Sequence, residues 1–262
     1  MLSAIFFYLR SSLKNSFLYY ILVILFFVLL YYQTLGINIE ISNQSSFGNL
    51  WGVSGNNLVD YLGHIGIHYF ILSLVIFLLL VNITSAFFSH DYIVQFLIKG
   101  DMRWKILLKY TLSLSFLIYL FFLVHILLLN FILYLISGSL FFIKTVTVLI
   151  YIVPLVIHIS IIIIFSVIIF NNNFYKLFFT YLYLVIMPFV LIAFNRNSVD
   201  IPIIPNWVLE YSEYFAPFFL TYIGGVLKYS LYIDIYPNMI GILIMSPIIY
   251  CLSMGFFQRK VY

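Results

Sequence analysis

Five histidines, eight acidic residues and a single cysteine are the groups in this chain best suited to hold a metal or trade a proton. Their spacing favours neither task. His64 and His68 stand four apart, one helical turn, and offer two ligands without a third beside them. No HExxH and no GxxxxGK[ST] is present, so neither a zincin site nor a nucleotide-binding P-loop is encoded. Cys251 alone supports neither a disulfide framework nor a thiolate cluster. His90 and Asp91 form the one histidine–acid pair at the edge of an apolar run, which is thin material for a membrane peptidase. His125 and His158 lie inside apolar runs, as do Asn82 and Asn130. Such groups need partners away from lipid. For the two histidines the expected ones are hydrogen-bonding residues such as Asn130, Ser137 or Ser160, and contact with a substrate stays open for His125, His158 and Asn130. No carboxylate falls in any apolar core, which argues against a pump driven by protons or sodium.

The segment from Ser89 to Lys109 carries the clearest signal. Asp91, Gln95 and Lys99 recur every four residues, while Tyr92, Ile93, Phe96 and Leu97 form the opposite, apolar face. Asp91 near the start and Lys99 near the end both suit the helix dipole. Gly100 is a good stop, and Asp101 a good N-cap for the next helix. The pattern predicts a short amphipathic helix, a turn and a basic approach to the membrane through Arg103, Lys105 and Lys109. It reads as a docking element, with an ordinary inner loop as the plainer alternative.

The elements that must position this segment follow from composition. Of 262 residues, 65% are apolar and 8% carry a charge, and the mean hydropathy is +1.16. A soluble domain carries about 25% charge. Soluble enzymes and nucleic-acid binders are therefore disfavoured, despite the net charge of +4. The fold class is all-α membrane protein, a single transmembrane domain over residues 1–262. Six spans are expected at Phe17–Leu35, Ile67–Phe87, Ile106–Ile136, Val146–Phe170, Phe174–Phe194 and Pro237–Phe256. Continuous apolar runs favour helices over a barrel. Lys109 and Lys176, near span ends, are placed to snorkel. Arg10, Lys14, Lys99, Arg103, Lys105, Lys109, Lys176, Arg259 and Lys260 fall on one side, against Lys144, Arg196 and Lys228 on the other. Nine to three puts both termini in the cytoplasm of a multi-pass cell-membrane protein.

Residues 1–16 read as an amphipathic interfacial helix, with Leu2, Ile5, Phe6, Leu9 and Leu13 on one face. The outer loop Gln33–Gly66 is rich in glycine and asparagine. The outer segment Asn195–Tyr236 mixes aromatics with Glu210, Glu213 and Pro217, which suits short interfacial or re-entrant helices before the last span. Three asparagines, 171–173, are all that joins spans four and five, so those helices must be adjacent and antiparallel.

This layout resembles the ABC-2-type permeases, the membrane subunits of a class of ATP-driven exporters. They have an amphipathic elbow helix, six spans with cytoplasmic termini and a coupling helix between spans two and three. The stretch from Gln95 to Lys109 looks like the end of their pattern before span three, with Arg103 and Lys109 at its basic positions. Gly100 stands where a proline is usual, Asp91 stands for an upstream glutamate, and the Gly-Thr pair is missing. The resemblance implies a permease paired with a second chain, the same or related, and served by two copies of a separate ATPase. ATP and magnesium would sit on that partner, with no cofactor, metal or catalytic residue in this chain. Asp91, Tyr92, Gln95, Phe96, Lys99, Gly100, Arg103 and Lys109 would then couple to the ATPase, and a charge or proline at Phe96 should uncouple it. Apolar, aromatic spans imply an amphipathic cargo: an antimicrobial or cytolytic peptide, a drug or a lipid-like molecule. Usage rich in Ile, Phe, Tyr and Asn suits an AT-rich bacterial genome, hence a bacterial plasma membrane. The alternatives are a six-span membrane enzyme or peptidase, and an ATP-independent transporter.

Overall fold

The computed structural model describes residues 76–100, 102–137, 142–187 and 232–259, with single helical positions at 5, 8, 9, 12, 21 and 24. The described residues are helical apart from short turns. We label the helices α1 (Ile76–Phe87), α2 (His90–Ile98), α3 (Arg103–Ser137), α4 (Phe142–Ile169), α5 (Asn173–Tyr181) and α6 (Tyr232–Arg259). A π turn, Leu182–Ile186, continues α5.

Three helices, α3, α4 and α6, are long and apolar enough to cross a membrane. The 35 residues of α3 extend about 50 Å at 1.5 Å per residue, against about 30 Å of hydrocarbon. The helix therefore tilts or projects from the membrane. It begins three residues before the predicted span, and α6 begins five before, because helix continues through polar residues where apolarity stops. Of the first predicted span only positions 21 and 24 are described; residues 67–75 of the second, 188–194 of the fifth, the outer segments up to residue 231 and most of the amphipathic start lie outside the described residues. Within that start, Ile5 and Leu9 are fully buried, and the ring of Tyr8 lies 5.3 Å from that of Phe87.

The centre of the bundle is α4, which packs against α3, α5 and α6. Its Leu155, Val156, Ile159, Ile162 and Ile163 are enclosed. The outside is apolar too: Leu112, Phe116 and Phe131 on α3, and Leu243, Ile248 and Leu252 on α6 are exposed. In water such a surface would aggregate, whereas in lipid it is solvated. The asparagine turn folds α5 back on α4, with Asn172 Oδ1 accepting from Phe174 N at 2.9 Å as an N-cap. Rings of Phe165 and Phe170 meet Phe179 at 5.8 and 5.5 Å across that hairpin.

Buried hydroxyls are satisfied largely within their own helices. Thr111, Ser160, Ser246 and Ser253 each donate to the carbonyl four residues back, at 2.6–2.8 Å. Among the described residues, Tyr110–Thr84, Lys176–Ser85, Thr180–Ser166 and His158–Ser246 are polar side-chain bonds between helices.

Candidate functional site

Two places concentrate polar chemistry among the described residues. The first is the α1–α2–α3 hairpin. Ser89 Oγ donates to Ala86 O at 2.6 Å and closes the corner between α1 and α2. Two turns later α2 ends as the sequence predicts: Gly100 adopts φ +79°, and its N–H donates to Leu97 O at 2.9 Å. A left-handed residue there costs a glycine nothing.

Burial follows the four-residue period of α2. Ile93 is fully buried and Phe96 and Leu97 are partly so, while Gln95 and Lys99 are exposed. Asp91 and Tyr92 stand in the first turn, as backbone positions only, and Asp101 lies outside the described residues. The ring of Phe96 lies 5.8 Å from that of Phe87, so Phe96 anchors α2 from within. The outermost apolar groups were not foreseen as such: Ile98 is 78% exposed and Met102 57%. Lys99 stands between them in sequence, and the Lys105 ammonium sits 5.5 Å over the indole of Trp104. Lys109 is half-buried, on the next turn of α3.

An aromatic knot holds this hairpin to the bundle. Phe87 stacks on Tyr110 at 4.2 Å, and Phe88 sets an edge against Tyr110 at 5.1 Å and against Phe257 of α6 at 5.5 Å. Tyr110 Oη donates to Thr84 Oγ1 at 3.1 Å. Arg103 Nη1 donates to two carbonyls at the end of α6, those of Phe257 at 3.2 Å and Gln258 at 2.6 Å. Nearby, Lys176 is 8% exposed, and its Nζ donates to Ser85 Oγ at 3.1 Å and Asn173 Oδ1 at 3.0 Å. It ties α5 to α1 rather than snorkelling away.

The second place is His158, fully buried on α4. Its Nδ1 lies 2.8 Å from Ser246 Oγ on α6. That serine proton goes to Ile242 O at 2.6 Å, so the serine oxygen can only accept. With the serine proton so placed, the imidazole donates at Nδ1, and its Nε2 has no hydrogen-bond partner among the described residues. The partner is none of those expected; Ser160 gives its proton to Val156 O at 2.8 Å. Three departures from regular helix meet here. Pro154 lies one turn from His158 and leaves the Ile150 carbonyl without its helical donor, and Pro247 follows Ser246 on α6. The π turn of α5 carries Tyr183, whose ring lies 6.0 Å from the imidazole. His125 and Asn130 are positions on α3 whose side chains lie outside the description.

No family model, no curated protein and no solved structure matches this chain. Among the described residues, no three of His, Cys, Asp and Glu come together as a metal site.

Proposed function

We propose that this chain is the permease subunit of an ATP-driven exporter of the ABC-2 kind. In this reading six spans cross a bacterial plasma membrane with both termini in the cytoplasm, after an elbow helix at the N-terminus. Two permease chains, the same or related, form the pathway. Two copies of a separate ATPase, which bind ATP and magnesium, dock beneath. The cargo is amphipathic or hydrophobic: an antimicrobial peptide, a drug or a lipid-like molecule.

The observation that carries the reading is the build of the α2 hairpin. Its inner face is locked into the bundle through Ile93 and the Phe96–Phe87 ring contact, while its tip presents Ile98, Lys99 and Met102 outward. A partner can bias a membrane bundle only through contacts that differ between its states. An element stiff within and adhesive without meets that need.

The reading expects a P-loop ATPase gene next to this one, and the test is reconstitution of the chain with that ATPase. Ile98→Glu with Lys99→Glu should abolish copurification of the ATPase and ATP hydrolysis by the complex, while membrane insertion and thermal stability stay unchanged. Ile98 and Lys99 serve better than Phe96, whose ring contact with Phe87 would also be lost. A doubly substituted chain that still binds the ATPase and supports full hydrolysis would sink the proposal.

A further inference from the structure

The end of α6 is gripped from two sides. Its last carbonyls lack helical donors and carry the negative end of the helix dipole. Arg103, in the first turn of α3, supplies the missing donors through Nη1 to Phe257 O and Gln258 O. Such charge-assisted bonds are stronger than neutral ones. The fully buried Phe257 side chain meets Phe88, in the corner between α1 and α2, at a ring distance of 5.5 Å. Arg103 lies three residues beyond the left-handed Gly100 that ends α2. The guanidinium thus meets the end of α6 at the point where the hairpin turns into α3.

We infer that Arg103 is a positioning residue that fastens the last helix to the α2 hairpin, so that a displacement of α2 moves α6 with it. This deepens, and rests on, the reading of α2 as the partner-docking element. The hydrogen bonds of Arg103 carry that coupling to the last helix. The path continues inward. From its gripped end α6 runs back along α4 to Ser246, whose bond to His158 passes the displacement to the central helix at mid-bundle. The consequence is a direct mechanical line from a cytoplasmic contact to the most enclosed polar group described.

The test is a distance measurement in the full chain in lipid nanodiscs. Spin labels go on the partly exposed position 94 of α2, away from the docking tip, and the exposed position 258, in a Cys251→Ser background because that cysteine is exposed. Without any partner, the unsubstituted chain should give one narrow distance distribution. Arg103→Ala should broaden it and shift it to longer distance, and Arg103→Lys, with a single point donor, should fall between. Lysine also keeps the test open if the alanine variant does not fold. Superimposable distributions for the parent and both variants would overturn the fastening, whatever the fate of the permease reading. With the ATPase and ATP added, the parent distance should stay constant as the complex closes. A parent chain whose labels separate on ATP binding would overturn the shared movement and leave the permease reading standing.

Discussion

Tyr110 permits the hairpin knot to be divided into its parts. The residue is fully buried on the second turn of α3, stacked on Phe87 at 4.2 Å, edged by Phe88 at 5.1 Å and bonded to Thr84 at 3.1 Å. Tyr110→Phe removes the hydroxyl and keeps both ring contacts. Polar bonds between membrane helices average about 0.6 kcal/mol, and that is the expected loss. Tyr110→Ala removes the ring as well. Each aromatic pair contributes about 0.5–1.5 kcal/mol beyond its area, and the cavity adds to that. The total expected is about 3–5 kcal/mol, the range for deleting a large buried aromatic. Packing thus outweighs the hydrogen bond by roughly fivefold on these magnitudes. Reversible unfolding in bicelles, followed by steric trapping, measures both variants on one scale. The reasoning is refuted if the phenylalanine variant loses as much as the alanine variant, because the hydroxyl would then carry the knot. It is also refuted if the alanine variant loses less than about 1 kcal/mol, because no cavity would then have formed.

The same assay reads two further changes. His158→Phe and Ser246→Ala, made singly and together, should show a coupling of about 0.6 kcal/mol and at most about 1.7; losses that simply add would mean the two side chains do not meet. Gly100→Val should cost about 1–2 kcal/mol through backbone strain alone, since a Cβ there has open space. Gly100→Asn should cost less, and equal losses would remove the left-handed turn as the cause.

The parts of this fold that were legible in the sequence are those written as period or punctuation. The four-residue rhythm from Asp91 to Lys99, ended by Gly100, specifies α2 and its stop. Asn171, Asn172 and Asn173 announce the α4–α5 reversal because three residues leave no other route. What was not legible depends on which helices become neighbours. Ser246 is 88 residues from His158, and no local pattern marks it as the partner. Arg103 bonds to backbone carbonyls, which every residue type carries alike, so sequence cannot single out its acceptors. Phe96 turns inward on the apolar face as the rhythm predicts, whereas Ile98 falls on the side of Gln95 and Lys99, an apolar residue among polar ones that the four-residue repeat does not mark. Lys176, a formal charge, is enclosed because Ser85 and Asn173 supply acceptors from two directions.

The habit of the buried hydroxyls, bonding back along their own helices, leaves the surfaces between helices slippery. Neighbours there meet as shapes, and sliding one past another breaks no polar bond. The exceptions work like rivets. Tyr110–Thr84, Lys176–Ser85, Thr180–Ser166 at 3.0 Å and Arg103 with the end of α6 all sit toward the end of the bundle that carries α2. Further along, His158–Ser246 joins α4 to α6, at the level where Pro154, Pro247 and the π turn interrupt the regular helices. Among the described helices the cross-links thus gather where α2 joins the bundle, so a push on α2 reaches α1, α3, α5 and α6 together.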